Sequence, residues 1–278
     1  MNIIGLGEAG CRITKLFQNY PQYETYFIDT ENKNNYKNFL KIKEQQDHEA
    51  YENDYKQLNF KKVKGDVTVI LCGTGKITGV ILRLLEQLKD KKVNIIYVKP
   101  DMSTAPADVK TREKIVFGVL QEYARSNLLS KFYIFSNNDI EGIIQNISIS
   151  SYWDEINNIV CSTYHMLNVF DNMEPLLSSM AQETITSKII APGVVAYENF
   201  NEKLFYDLDK PRLKKYFFGI SEKSLNEEKD LLQRIRTYIK SKAEDKCGAC
   251  FAIYPTSYEE NYIYTLHYAS LIQEQNIT

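Results

Sequence analysis

The sequence predicts an α/β fold: a doubly wound, mostly parallel sheet followed by a smaller α+β portion. Three observations point to it. Short apolar runs alternate with stretches of helical spacing through the first 150 residues, each apolar run ends in a polar or glycine-bearing loop, and after residue 150 one long helix leads into a new mixture of strands and helices. The predicted division is residues 1–150 for a first domain, 151–172 for a connecting helix and 173–278 for a second domain.

Taken in order, "NIIGLG" is a short apolar strand broken by glycine, and "CRITKLFQNY" carries Ile13, Leu16 and Phe17 at helical spacing. "TYFIDT" is a second strand with a polar end. Residues 31–65 are rich in Lys, Asn, Glu and Gln, with one helix predicted near residues 50–58. "DVTVILCG" is the next strand, and Val80, Ile81, Leu84, Leu85 and Leu88 form the buried stripe of the helix after it. "KKVNIIYVKP" is a strand, its helix runs near residues 111–125, and "KFYIFSNN" is one more strand. A long helix over residues 151–170 opens the second part. It continues with "KIIAPGVVAY", "KKYFFGIS", a charged helix over residues 226–242, the strand "ACFAIY" and a final helix containing "YIYTLHYASLI". No internal repeat or low-complexity segment interrupts this order.

Composition limits the partners. The 278 residues hold 34 Lys and Arg against 36 Asp and Glu, so no broad cationic field draws nucleic acid or anionic lipid, and an anionic ligand must be held locally. The apolar runs at residues 67–72 and 93–98 fall well short of the roughly 18 to 20 residues that span a bilayer. Met1 passes directly into "NIIGLG" without the charged segment and apolar core of a secretion signal, which predicts a cytoplasmic address. Five scattered cysteines fit reduced thiols. Cys247 and Cys250 form one C-x-x-C, but no second pair accompanies them and His48, His165 and His267 stand apart, so no metal site is predicted and the pair reads as the start of a strand.

Ligands of doubly wound sheets sit at the C-terminal ends of the strands. There, "GLGEAG" places Gly5, Gly7 and Gly10, with Glu8 and Ala9, between a strand and a helix. That pattern lets backbone N–H groups approach a phosphate at a helix N-terminus. It equally fits a dinucleotide-binding turn, for which Asp29, at the end of the second strand, stands where a ribose-binding acid belongs. A second loop, "GTGKITG" over residues 73–79, again joins strand to helix. It is not a Walker A loop, because Ile70 and Ile77 occupy positions that require Gly and Ser or Thr. Two helix N-termini aimed at one crevice suit a di- or triphosphate, whereas a dinucleotide cofactor needs only one such turn.

These residues resemble the FtsZ/tubulin superfamily, FtsZ most nearly in wording. Its first loop, G-x-G-G-A-G-G-N, matches residues 5–12, with Glu8, Cys11 and Arg12 departing. Its signature loop, G-G-G-T-G-T-G, falls on Gly73, Thr74, Gly75, Lys76, Ile77, Thr78 and Gly79, with Lys76 and Ile77 in place of Thr and Gly. "FIDTEN" lies where the family has a strand ending in N-T-D, "VKPDMS" resembles "TKPF", and "FYIFSNNDIEGII" resembles "TLITIPNDKLL". The last puts Asn137 on the family's ribose- and base-contacting Asn. "SYWDEINNIV" resembles "AFGAANDVL", aligning Trp153 with the aromatic that stacks on guanine and Asn157 with the Asn at its edge. Spacing agrees independently, since residues 153 and 157 share one helix face. "APGVVAYENFNEKLF", "KKYFFGIS" and "GACFAIYPTSYEENYIYTL" resemble "RPGLINVDFADV", "YAMMGSG" and "GVLVNITAGFDLRLDEF", so the likeness covers nearly the whole chain.

The resemblance implies a GTPase-type nucleotide domain, a long central helix and a small C-terminal α+β domain. It also implies GTP or GDP as ligand, with Mg2+ as a candidate companion, and head-to-tail self-association in which acids of one subunit position water on the nucleotide of the next. Glu202, Asp207 and Asp209 are the acids nearest the family's N-x-D-x-x-D, although direct alignment puts Lys203 and Tyr206 there. "KEQQDHEAYEN" lacks the glycines of the family's loop beside the γ-phosphate, and Lys76 is a candidate compensating cation. No tail peptide is seen, which favours a compact plasmid- or phage-type relative over a cell-division protein. Two rival readings follow from the departures and from the first loop alone: a non-hydrolysing scaffold or adaptor of the same fold, and an NAD(P)-dependent oxidoreductase.

Overall fold

A computed structural model describes residues 1–54, 63–144 and 147–273. The strands are β1 (Asn2–Leu6), β2 (Glu24–Asp29), β3 (Phe39–Lys41), β4 (Val67–Leu71), β5 (Val93–Lys99), β6 (Lys131–Ser136), β7 (Leu177–Ser178), β8 (Ile189–Val195), β9 (Glu202–Leu204), β10 (Leu213–Ser221), β11 (Gly248–Thr256) and β12 (Tyr262–Ala269). The α-helices are α1 (Gly7–Leu16), α2 (His48–Asp54), α3 (Ile81–Gln87), α4 (Ala107–Arg125), α5 (Asn137–Ile143), α6 (Tyr152–Asp171), α7 (Glu222–Glu227) and α8 (Leu231–Lys242).

Among the described residues all strands join one sheet, ordered β3-β2-β1-β4-β5-β6-β8-β12-β10-β11-β7, with β9 pairing on β8. From β3 to β8 every pairing is parallel. The sheet crosses from the first part to the second where Phe132 and Tyr133 of β6 pair with Ile189 and Ile190 of β8. The first six strands have the order of doubly wound nucleotide folds, which reverses between β1 and β4. Strands buried on both faces read as unbroken apolar runs, as "VTVIL" does in β4, where every residue is buried.

Opposite crossovers lay helices on opposite faces. One core joins Ile4, Val69, Ile95 and Phe132 of the sheet to Leu84 of α3 and Phe117 and Leu120 of α4. The other joins Ile3, Ile70, Ile96 and Tyr133 to Ile13 of α1 and to Ile156, Val160, Tyr164, Leu167 and Phe170 of α6. That α6 stripe continues against Phe217, Tyr254 and Leu266 of the later strands, so one helix packs on both parts of the sheet. A third core holds α8, through Leu231, Ile235 and Ile239, against Phe218 and Ile253.

The predicted helix near residues 50–58 is described only as α2, and residues 55–62 lie outside the described residues. Two other expectations are corrected. "YIYTLHYA" is the strand β12, not a final helix; its aromatic and β-branched residues suit a central strand, and it pairs antiparallel with both β8 and β10. The charged helix predicted over residues 226–242 is two helices, α7 and α8. Ser221 caps α7, its Oγ accepting from the Ser224 N–H, and the chain breaks over residues 228–230 before α8 begins.

Candidate functional site

The two glycine loops leave the C-terminal ends of β1 and β4, the strands that flank the reversal of sheet order. α1 begins after Leu6, which offers no side-chain cap, so its first N–H groups are left for another acceptor. The glycines here do different work. Gly7 has φ of +72°, which a side chain resists. Gly10 packs against β4 so closely that a Cβ would lie 2.2 Å from the Ile70 carbonyl oxygen. In the second loop a Cβ at Gly73 would meet the Tyr97 hydroxyl at 2.0 Å, and one at Gly79 the His48 carbonyl oxygen at 2.0 Å. Thr78 closes the turn, its Oγ1 donating to the Gly75 carbonyl at 2.7 Å, and Arg112 of α4 holds it from behind through Nη1 on the Thr74 carbonyl at 2.6 Å.

Both loops open on one cavity of about 480 Å³. Gly7, Glu8, Ala9, Thr74 and Gly75 form one side, and Asn137, Trp153 and Asn157 complete it. Asn137 opens α5; its Oδ1 is buried without a hydrogen-bond partner. Trp153 and Asn157 lie one turn apart near the start of α6. The indole is 52% exposed and meets Tyr152 edge to face, whereas Asn157 is only 9% exposed and no hydrogen bond engages its amide. A buried acceptor without a partner, as the Asn137 Oδ1 is, costs free energy unless a ligand supplies a donor.

A second cavity of about 650 Å³ adjoins the first between α1 and α6 and shares Glu8, Arg12 and Asn157 with it. Cys11 and Asp29 line it, as do Lys15 and Asp154. The Cys11 thiol donates to the carbonyls of Gly5 (3.4 Å) and Ile28 (3.6 Å), and burial, with the charge of Asp29, pushes it up to about 12, so it is a neutral packing group. Asp29 accepts the Thr30 N–H at 2.8 Å and is raised by burial first and by Glu8 next among charges. Arg12 donates to Glu8 at 2.6 Å across the mouth shared by the two cavities.

Several predicted site residues stand behind the walls. Gly5, Gly10, Gly73, Thr78 and Gly79 support the loops without lining either cavity. Lys76 does not line them either: its Nζ donates outward to the Gln46 carbonyl at 2.8 Å, because the chain ahead of α2 packs on this turn. Ile77 turns inward instead and lines the first cavity, its Cγ2 3.0 Å from where a Cβ of Gly7 would be.

The three acidic candidates separate. Glu202, on β9, accepts from His267 Nε2 (2.8 Å), Lys242 Nζ (2.6 Å) and Tyr216 Oη (3.0 Å). Burial alone would raise its pKa, but the hydrogen bonds and charges of His267 and Lys242 outweigh that and hold it at about 2. It is a structural ion-pair centre rather than a carboxylate available to position water. Asp207 and Asp209 are exposed. The Asp209 N–H donates to Gln273, which is bonded to Gln121 in the last turns of α4, toward the end of the sheet away from the glycine loops. At that same end α6 finishes with Asp171, which is paired to Lys131 at 3.3 Å, and exposed Glu174 follows.

Reasoning from sequence missed Asp154, Ile77 as a wall and Arg112. The first was legible from its place three residues before Asn157; a contact like that of Arg112, 38 residues from Thr74, leaves no mark in the sequence. No family model and no curated protein matches this chain. Solved structures do. A GTPγS-form protofilament of TubZ from Bacillus thuringiensis serovar israelensis matches with a TM-score of 0.69 at 14% identity, over 98% of this chain and 86% of that one. The empty FtsZ dimer of M. jannaschii matches with 0.70 at 10% identity, over 96% and 87%. A GTPγS-bound protofilament of CetZ2 from Haloferax volcanii matches with 0.68 at 12% identity, over 96% and 92%. The chain has the FtsZ/tubulin fold.

Proposed function

We propose that this protein is a guanine-nucleotide-binding, tubulin-like protein that assembles head to tail into filaments. The observation that carries the nucleotide reading is the cavity of about 480 Å³ at the sheet's reversal point, in which two backbone loops face an indole and two amides with no hydrogen-bond partner. In this reading the uncapped N–H groups of α1 and the Thr74–Gly75 backbone take the phosphates. Trp153 supports the purine, and Asn137 and Asn157 complete their hydrogen bonds on ribose and base. Division into a nucleotide-binding domain (1–150), a connecting helix (151–172) and a C-terminal domain (173–278) belongs to the same reading.

Among the described residues no group of three His, Cys, Asp or Glu stands together as a metal cage, and Glu8 is the one carboxylate lining the first cavity. Mg2+ arriving with the nucleotide would therefore be held by phosphate oxygens and water, with Glu8 the nearest protein acid, and would neutralise phosphate charge.

Assembly follows from where the parts lie. The cavity is at the N-terminal end of α6, and the 20 residues of that helix span about 30 Å. Exposed carboxylates at the far side, Asp209 near the end of α4 and Glu174 beyond α6, with exposed Asp207 two residues before Asp209, would face the nucleotide of the next subunit when copies stack along the helix. Such a heterologous contact does not close and produces filaments. Hydrolysis, where it occurs, would rest on positioning of water by those acids. No transmembrane-length apolar helix is found among the described residues, in keeping with assembly in solution. Sedimentation tests the reading: the protein should pellet with GTP and stay in the supernatant without nucleotide, and pelleting indifferent to nucleotide would overturn it.

A further inference from the structure

The second glycine loop is held from outside the cavity it lines. Arg112, in the second turn of α4, is largely buried; its Nη1 donates to the Thr74 carbonyl at 2.6 Å while its Nη2 pairs with Asp108 at 3.2 Å, one turn back along the helix. Thr74 and Gly75 line the cavity of about 480 Å³, and Arg112 does not. The next residue of α4, Glu113, fixes the base of the loop: Tyr97 Oη donates to it at 2.9 Å, and Gly73 rests on that hydroxyl. The Gly75 carbonyl in turn accepts from Thr78, through its N–H at 3.1 Å and its Oγ1 at 2.7 Å. Both carbonyl oxygens of the Thr74–Gly75 segment are therefore taken up by the protein itself.

A trans peptide is planar, with its C=O and N–H pointing opposite ways, and this one is trans. Drawing the Thr74 carbonyl to Arg112 thus turns the Gly75 N–H away from Arg112, to the side on which the loop lines the cavity. Within the described residues no hydrogen bond of standard geometry engages that N–H. Rotated by half a turn, the same peptide would set an oxygen before an anion. Glycine lacks the Cβ that would oppose the rotation, so a contact from outside the loop has to decide it. We propose that Arg112 is a positioning residue that sets the polarity of the Thr74–Gly75 peptide, so that the loop meets a phosphate with an N–H donor. The proposal rests on the nucleotide reading above and adds to it a residue that touches no ligand. A guanidinium suits the task because its planar fork holds Thr74 and Asp108 at once. With its charge paired to Asp108, its service to the site is geometric.

The test combines calorimetry with amide NMR on protein labelled only at its 12 glycines, the Gly75 signal being assigned by its loss in Gly75→Ala. In wild type, GDP at saturation should move the Gly75 signal downfield, as an N–H entering a hydrogen bond does, and inorganic pyrophosphate should move it the same way. Arg112→Met keeps an unbranched stem without the fork. It should bind GDP about tenfold more weakly, as expected for a lost hydrogen bond to a charged group, and its Gly75 signal should stay still at saturation. Loss of positive charge alone would weaken GDP yet leave the Gly75 signal moving, and that result overturns the proposal, as does unchanged affinity. A wild-type Gly75 signal that stays still with GDP bound overturns it without any variant and leaves the nucleotide reading standing. Wild type that binds no GDP overturns both.

Discussion

At the scale of single residues, charge decides which groups serve the site and which serve the fold. Lys76, the one lysine of the second glycine loop, spends its ammonium on the Gln46 carbonyl at an exposed position. Lys76→Ala should therefore leave GDP affinity within about twofold of wild type, and calorimetry showing a tenfold loss would bring Lys76 back to the phosphates. Glu202 is the reverse case, an acid buried among His267, Lys242 and Tyr216 and held at about 2. A glutamate whose folded pKa is depressed contributes stability that is present above its unfolded value, near 4.3, and lost as pH falls toward the folded one. Between about pH 4.5 and 2 that loss amounts to about 3 kcal/mol. Urea melts should show Glu202→Gln to be less stable than wild type at pH 7, with the difference shrinking as pH drops through that window.

At the scale of elements, the glycine loops work by how tightly helices sit on strands. Gly10 brings α1 against β4, and a methyl group there would press on the Ile70 carbonyl. Gly10→Ala should cost about 1–3 kcal/mol through overpacking and weaken GDP binding as α1 shifts, measured by thermal melts and calorimetry on one preparation. A melt unchanged from wild type would show that α1 has room the geometry denies. The same packing explains what was legible in advance. Strands β1, β2, β4, β5 and β6 were readable as apolar runs ending in polar loops, and the α3 stripe of Val80, Ile81, Leu84, Leu85 and Leu88 is buried as its spacing required. β12 was misread because "YIYTLHYA" lies centrally in the sheet, where burial on both faces erases the period of two that marks a strand. Of the candidate site, the meeting of the two loops with Trp153 and Asn157 at one cavity was legible because both depend on local spacing. Where Lys76 and Glu202 point depends on partners 30 and 65 residues away, which no local pattern encodes.

At the scale of the whole molecule, α6 is the element that couples the two parts. Its apolar stripe binds both halves of the sheet, and Tyr164 at its middle shares a hydrogen bond of 2.6 Å with Thr68 of β4. A ligand at its first turn and a neighbouring subunit at its last would thus act on one rigid rod. Replacing Glu174 by Lys, at the far end, should abolish GTP-dependent pelleting while GDP affinity stays at the wild-type value; pelleting that persists would place the contact between copies elsewhere.

In the proposed function a guanine nucleotide lies against Trp153, and the chain has only one tryptophan to report on it. Titrating the protein's intrinsic fluorescence with GDP, ADP and NAD tests this most directly. GDP should give a saturable change that ADP and NAD do not reproduce. A GDP complex seen by calorimetry that leaves the tryptophan emission untouched, or an equal response to all three ligands, would contradict it.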